Sequence, residues 1–595
     1  PARPDPASKE NAMTFRAPTA EQRFVLDHVA GIAKLATYER FAHADSDTVN
    51  AVLEGIAQFA GGEYAPTNRI GDTVMPRWDD GRVTMPPGFR EAYRGCVEGG
   101  WNGVDAPMEY GGMGLPYALA SAVMETLGTA NMGLTLINLL TAGAVHALEA
   151  YGTEQQKASW LPRLVSGEWN GTMNLTEPGA GSDVGALRTM AEPVTDGDHA
   201  GLWKLRGQKI FITFGEHDLT DNIVHLVLAR TPDAPGGTKG ISLFLVPKFR
   251  IDPQGLPTIP NGVRCLSIEH KLGIHSSPTC VMAYGEDGDS LGELIGEVGG
   301  GMRAMFVMMN SARLNVGNQG VQIAERATQQ AVAYACDRMQ SVRASAPDAG
   351  PVAIIEHPDV RRMVLRMKAL TEGARALVYY AASQIDRGKL GDGDAADRAD
   401  VLIPLAKAWA TDIGCEVASL GVQVHGGMGF IEETGAAQHF RDARIAPIYE
   451  GTNGIQAADL VGRKLSLRNG EPLDRLIAEI LADASGEPQL MQLAQACAEV
   501  TDWMRAAPID DRLAGSVDYL TMLAAATAGW QMARQFAAAN ALLARSEGDP
   551  AFLQAKLSTT RFFLDRIVPQ AAGHEAGSIA GQAMLYAVSS EALAP

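Results

Sequence analysis

A mainly α-helical protein interrupted by one block of β-strands is what this chain predicts, on three observations. Apolar residues recur at helical spacing over residues 20–168, the texture between the turn at 177–185 and residue 246 is of short alternating or β-branched runs, and from Gly301 the helical period returns. At 595 residues the chain exceeds what one hydrophobic core usually serves, so about two to four domains are expected. We divide it into a helical domain over 1–168, a stranded domain over 169–298, a second helical domain over 299–465 and an appended helical domain over 466–595.

In the first block, Arg23-Phe24-Val25-Leu26-Asp27-His28-Val29-Ala30 keeps its apolar residues at three- and four-residue spacing, and 118–129 is rich in Ala and Leu with a single Glu. Residues 1–14 are polar and Pro-rich, lack the charged-then-apolar order of a secretory signal, and read as a frayed terminus. The strands are expected at 203–205, 209–213, 223–228 and 241–246, separated by Gly, Pro and Asp turns. Helices follow at 302–336, 359–387, 399–421 and from 463 onward; the last of these include 522–543 and 551–568, the latter ending before Pro569.

Composition narrows the function. With 46% hydrophobic and 20% charged residues the chain is an ordinary globular one. No apolar run approaches the roughly 18 residues of a membrane span, so a soluble, cytoplasmic protein is expected. Six cysteines, at 96, 265, 280, 336, 415 and 497, form no Cys-x-x-Cys pair, which suits a reducing compartment rather than a disulfide framework or zinc site. A net charge of −19 opposes a nucleic-acid partner. The appended segment carries nine Lys and Arg against fifteen Asp and Glu, net −6, and reads as an acidic packing domain.

The chemistry concentrates in Arg444-Ile445-Ala446-Pro447-Ile448-Tyr449-Glu450-Gly451-Thr452-Asn453-Gly454-Ile455-Gln456, where one carboxylate stands among apolar, small and amide residues. Desolvation by such neighbours would raise the pKa of Glu450 toward that of a base working near neutral pH; a solvated loop glutamate is the alternative reading. Gly179-Ala180-Gly181-Ser182-Asp183-Val184-Gly185 fails as a dinucleotide-fold loop, because its third glycine comes one residue late, no clear strand precedes it and strands rather than a crossover helix follow. It fits either a structural turn or a loop offering backbone N–H groups and the Thr176 and Ser182 hydroxyls to a flavin or phosphate. Arg313, among apolar residues on a helix, needs an anion, supplied by a ligand or by an internal carboxylate. His270, His275 and Cys280 fit no common zinc spacing, so no metal is expected. No Gly-x-Ser-x-Gly elbow, His-Glu-x-x-His or Walker lysine occurs.

Three blocks, Leu175-Thr176-Glu177-Pro178-Gly179-Ala180-Gly181-Ser182-Asp183, Gln423-Val424-His425-Gly426-Gly427-Met428-Gly429-Phe430 and Tyr449-Glu450-Gly451-Thr452, resemble the acyl-CoA dehydrogenase family in order and spacing over about 20–465. The resemblance implies a β-barrel between two helical domains, with FAD at their junction. It implies Glu450 as the catalytic base, and Leu175, Thr176, Ser182, Phe211, Thr213, Arg338, Gln423, Gly426, Gly427 and Thr452 as FAD contacts. It assigns Ser182, Arg313, Tyr449 and Gly451 to the acyl-CoA. Phe211 stands where many relatives carry Trp, and Ala312 stands where some carry an alternative base. Arg338, which lacks the usual following Phe-Gly, matches an arginine that reaches the flavin pyrophosphate of a neighbouring subunit, so a homodimer or dimer of dimers is implied. An electron-transfer flavoprotein is the implied acceptor. The motif form and the C-terminal extension look most like the branch acting on 3-(methylthio)propanoyl-CoA, so a short acyl-CoA is expected. The alternatives are a medium- or long-chain dehydrogenase of fatty-acid β-oxidation, an acyl-CoA oxidase, and a flavin-bearing DNA-protecting protein.

Overall fold

The computed structural model describes residues 15–594. The segment 1–14, read above as a frayed terminus, lies outside the described residues. The chain forms two compact units, one of residues 55–115 and 130–312, the other of residues up to 54, 116–129 and 313 onward.

In the first unit the runs of β-branched and apolar residues become one eight-stranded sheet. Asn222–Arg230 and Ile241–Pro247 are buried almost throughout, as near-continuous apolar strands should be. Trp203–Thr213 pairs with Ser290–Ile295, which pairs with Ile241–Pro247, which pairs with Asn222–Arg230. Met190–Pro193 then bridges Asn222–Arg230 back to Trp203–Thr213, closing the ring into a barrel. Thr279–Tyr284 and Val263–Ile268 extend it beyond Trp203–Thr213.

Three sequence expectations need correction here. A strand, Trp169–Asn174, does precede the glycine-rich loop, pairing in parallel with Asn222–Arg230. Its Asn and Gly residues hid it, since all six residues are buried and no alternation shows. The dinucleotide-fold reading still fails, because the loop leads into the strand Met190–Pro193 and not into a helix. The runs at 203–205 and 209–213 are a single strand, Trp203–Thr213. The block read as helical contains a hairpin, Arg77–Asp79 with Arg82–Thr84, turned by Asp80 and Gly81 with φ of 42° and 84°; its three-residue strands are too short to show periodicity, although Asp-Gly is a hairpin signal.

Helix Tyr117–Tyr151 is long and apolar enough to cross a membrane by length and composition, contrary to the sequence reading, but 89% of its most apolar window is buried, as in a core helix. It breaks at Asn131, whose φ of −155° and ψ of 95° are not helical and whose side chain accepts from the Leu134 N–H.

The second unit is helical. Pro358–Lys389 and Gly393–His425 form a hairpin, the second helix N-capped by Asp392. The segment of helix Gly301–Asp337 beyond residue 313 crosses Gly393–His425 at glycines. A Cβ on Gly320 would lie 2.0 Å from the Ala410 carbonyl oxygen, and one on Gly317 would lie 2.8 Å from that of Ala406, so only glycine permits this approach. That crossing lets Arg313, Gln319 and Lys407 serve one turn of chain.

The appended helices belong to the same unit. Lys556 of Pro550–Phe562 is fully buried, donating to Glu21 and, at 2.9 Å, to Glu372. Arg375 similarly reaches Glu125 at 2.8 Å and Glu325 at 2.7 Å. Such charges are tolerated in an interior only when paired. Pro569 does not follow the end of a helix, as expected, but sits inside one: a π turn at Phe563–Ile567 hands over to Val568–Ala572, where proline occupies a first-turn position that needs no N–H donor.

Candidate active site

The turn at 447–453 is built from the outside inward. It is closed by the Asn453 N–H on the Pro447 carbonyl at 3.0 Å, and helix Asn453–Gly462 starts from it, capped by Thr452, whose hydroxyl accepts from the Ile455 N–H at 3.2 Å. Inside the turn Glu450 and Gly451 are consecutively left-handed, with φ of 55° and 80°. For glutamate that conformation costs on the order of 1–3 kcal/mol and persists only where neighbours over-determine it. Those neighbours are visible: the Gln456 side-chain amide donates to the Glu450 and Gly451 carbonyls, both at 3.3 Å, and Lys407 donates to the Gly451 carbonyl at 2.7 Å.

Glu450 is the group so displayed. Among the described residues its carboxylate accepts no hydrogen bond; burial pushes its pKa up to about 7, and the charges of Arg313 and Lys407 only partly offset that rise. Arg313 is buried on its helix, and burial lowers its pKa against the opposing pull of Asp459 and Glu450. Lys407 is fully buried, and burial lowers its pKa to about 8. Tyr449, half-buried, gives its hydroxyl proton to Gln319 and has its pKa raised by burial. Lys407 and Gln319 went unnoticed in the sequence, and Asn453 and Gln456 stand there only as amide residues of the motif, with no role assigned. Only Lys407 left a signal there, as a lone lysine in the apolar run Leu405-Ala406-Lys407-Ala408-Trp409.

A second cluster lies on the barrel unit. Glu177 anchors the glycine-rich loop: its carboxylate accepts from the Arg188 N–H at 2.6 Å, the Thr189 N–H at 3.1 Å, the Thr189 hydroxyl at 2.6 Å and Lys209 at 2.8 Å. Lys209 also donates to the Leu175 carbonyl at 3.0 Å, and the Ile210 N–H donates to that of Thr176. The loop is thereby sewn to Trp203–Thr213, with Ser182 exposed at its tip. On that strand Phe211 is 58% exposed with a φ of 60°, a solvent-facing aromatic in a strained backbone. Thr213, half-buried, accepts on its carbonyl from the Thr172 hydroxyl at 2.7 Å.

The third cluster, in the helical unit, is exposed. Arg338 follows the end of helix Gly301–Asp337, and Gln423, Gly426 and Gly427 lie at the end of Gly393–His425. Tyr334 stacks on His425 at 4.4 Å between centroids, bringing these two helix ends together. Of the residues weighed as metal ligands, His275 is engaged by Asp72 and the Lys271 carbonyl, and Cys280 is buried.

The chain resembles known proteins along most of its length. Residues 46–168, 172–285 and 299–465 match the N-terminal, middle and C-terminal domains of acyl-CoA dehydrogenases, and residues 477–589 match the domain described as acetyl-CoA dehydrogenase C-terminal like. The chain belongs to the acyl-CoA dehydrogenase family and is an oxidoreductase. It is 46% identical to the 3-methylmercaptopropionyl-CoA dehydrogenase of Ruegeria pomeroyi, over 97% of this chain and 100% of that one. It is 34% identical to a butyryl-CoA dehydrogenase of Syntrophomonas wolfei, over 94% and 95% of the two chains. Among solved structures, an acyl-CoA dehydrogenase complexed with FAD from Bacillus anthracis shares the fold, with a TM-score of 0.72 at 22% identity over 97% of this chain and 94% of that one.

Proposed function

We propose that this protein introduces an α,β double bond into a short acyl-CoA thioester, with Glu450 as the base that removes the Cα proton. The observation carrying this reading is the Glu450 carboxylate itself: half-buried, without a hydrogen-bond donor among the described residues, and held at a pKa of about 7 in a left-handed backbone. A base of that pKa is ionised enough at neutral pH to act, yet basic enough to take a proton. The thioester α-proton is weakly acidic, so the developing enolate oxygen needs a preorganised donor. The Glu450 backbone N–H has no acceptor among the described residues and is our candidate.

The chain's residues fit FAD as the cofactor. An exposed, strained Phe211 offers an aromatic face, the pinned Leu175–Thr176 segment offers backbone and hydroxyl groups, and the exposed Gly426–Gly427 backbone with Gln423 and Arg338 suits a diphosphate. FAD, when bound, supplies the hydride acceptor for Cβ. Arg313, Tyr449, Gly451 and Ser182 are proposed to hold the acyl-CoA, Arg313 by its charge. An electron-transfer flavoprotein is the proposed acceptor, and a homodimer or dimer of dimers the proposed assembly. The names of the two relatives above support a small acyl group, 3-methylmercaptopropionyl or butyryl.

The test is Glu450→Gln. The variant should keep its flavin while acyl-CoA no longer bleaches it, and bleaching at the wild-type rate would remove Glu450 from the mechanism. Bleaching by a panel of acyl-CoA thioesters that includes 3-methylmercaptopropionyl-CoA would rank the substrates.

A further inference from the structure

We propose that Lys407 is a positioning residue of this site: from helix Gly393–His425 its ammonium holds the Gly451 carbonyl, fixes the left-handed Glu450–Gly451 backbone and aims both groups that Glu450 offers the substrate. The proposal rests on the reading of Glu450 as the base.

The geometry begins with an anomaly of sequence and burial. A lysine between Ala406 and Ala408 in a buried helix could be replaced by a leucine or methionine of similar length, and burying an ammonium instead demands partners. Lys407 has two, the Gly451 carbonyl at 2.7 Å and the Asn453 side-chain oxygen at 3.0 Å. Asn453 is fixed in turn, its amide donating to the Ala408 carbonyl at 3.0 Å, the Thr411 hydroxyl at 3.0 Å and the Asp412 carboxylate at 2.8 Å. The lysine therefore joins a rigid helix to the single turn that carries the base, and its other partner is the first residue of the helix leaving that turn.

This contact controls direction. The carbonyls of residues 450 and 451 are both engaged, the first by Gln456 and the second by Gln456 and Lys407, so the Glu450–Gly451 peptide cannot rotate without breaking the Gln456 bond, nor the Gly451–Thr452 peptide without breaking the charge-assisted bond from Lys407. With the two peptides on its C-terminal side held, Glu450 keeps the left-handed backbone, φ 55°, from which its N–H and side chain project. A Cβ on Gly451 would lie 2.7 Å from the Gln456 amide nitrogen, so the turn is already closely packed on its other side. Release of the carbonyl would let the residue relax toward an ordinary backbone conformation and swing the carboxylate away.

The ammonium also contributes a fixed charge. The ionisable groups that act on Glu450 are Arg313 on its own helix and Lys407 on Gly393–His425, with Tyr449 beside it; Asp400, Asp459 and Arg463 act in turn on Arg313, and Asp412 on Lys407. Of these, Arg313 and Lys407 are the cations that act on the carboxylate. Without Lys407 only Arg313 opposes desolvation, and Glu450 should hold its proton to higher pH.

The experiment uses flavin-loaded Lys407→Met, Lys407→Arg and Asn453→Ala enzymes, each first compared with wild type for flavin content and melting temperature. Single-turnover bleaching by butyryl-CoA is then followed across the neutral pH range. Lys407→Met should lose about tenfold or more in limiting rate with little change in half-saturation, and its acid limb should move up by about one pH unit. Lys407→Arg should return the limb toward wild type, since it keeps the charge. A Lys407→Met enzyme with wild-type rate and limb overturns the proposal. Should Lys407→Met fail to load flavin, Asn453→Ala, which loosens the ammonium but keeps its charge, must still lower the limiting rate with the limb unmoved, and an unchanged rate there overturns the proposal too. If Glu450→Gln still bleaches, the base reading has failed. If Glu450→Gln is silent while Lys407→Met behaves as wild type, only the role of Lys407 has failed.

Discussion

Glu177 in the barrel unit and Glu450 in the helical unit share a residue type and a setting: each sits in a glycine-containing turn beside a fully buried lysine from a regular element. They differ in what reaches the carboxylate. Burial works to raise the pKa of Glu177, but the Lys209 charge and the hydrogen bonds from Lys209, Thr189 and the Arg188 N–H outweigh it and hold the carboxyl below its ordinary value. At Glu450 the lysine spends its hydrogen bonds on the backbone carbonyl and on Asn453, the carboxylate receives only charge through space, and the pKa rises to about 7. Hydrogen bonds to a carboxylate make a structural pin. Their redirection to the backbone leaves a carboxylate without a donor among the described residues and with a raised pKa.

The largest effect should separate the two at once. Glu450→Gln is expected to slow flavin bleaching by acyl-CoA by ~10²-fold to 10⁴-fold with the melting temperature nearly unchanged. Glu177→Gln should do the reverse, costing ~3–5 kcal/mol of stability because the Lys209 ammonium is left buried beside a neutral amide, and it reads out as a lower denaturation midpoint. A Glu177→Gln protein as stable as wild type would break the comparison.

Acid should sharpen it. With Glu450 raised to about 7, the bleaching rate should fall about tenfold per unit below that pH, because the base must be deprotonated. The fold should not follow. Glu177 has its pKa lowered from an ordinary 4.5, so its stabilisation is complete above that value and is lost only as pH falls below it toward the folded-state pKa. Parallel titrations of rate and of circular dichroism check this, and coincident midpoints would contradict it. The smallest effect is expected at Thr452→Ala, which removes a helix cap for ~1 kcal/mol and leaves the acid limb in place.

Much of this was legible beforehand. The order of helices and strands follows from the helical period of the amphipathic helices and from the β-branched apolar runs of strands such as Asn222–Arg230 and Ile241–Pro247. Glu450 and Arg313 could be singled out as charges placed among apolar neighbours. Trp169–Asn174 could not, since a polar strand buried on both faces has no alternation to read. The turn through Phe563–Ile567 was equally hidden, as nothing local distinguishes a π turn that receives a proline from a helix that a proline ends.

The sequence by itself determined the helical and stranded blocks and the chemical character of the turn carrying Glu450, since both depend on neighbours a few residues away. Tertiary structure alone decided that Lys407 holds that turn from 44 residues upstream, that Gln319 receives the Tyr449 hydroxyl proton, and that the Glu177 carboxylate is pinned by Lys209, Thr189 and the Arg188 N–H. Each of these depends on which donors reach a given oxygen. That is settled by how closely two helices cross at Gly317 and Gly320, or by which strand lies beneath a loop, and these distances are not written in any local stretch of residues.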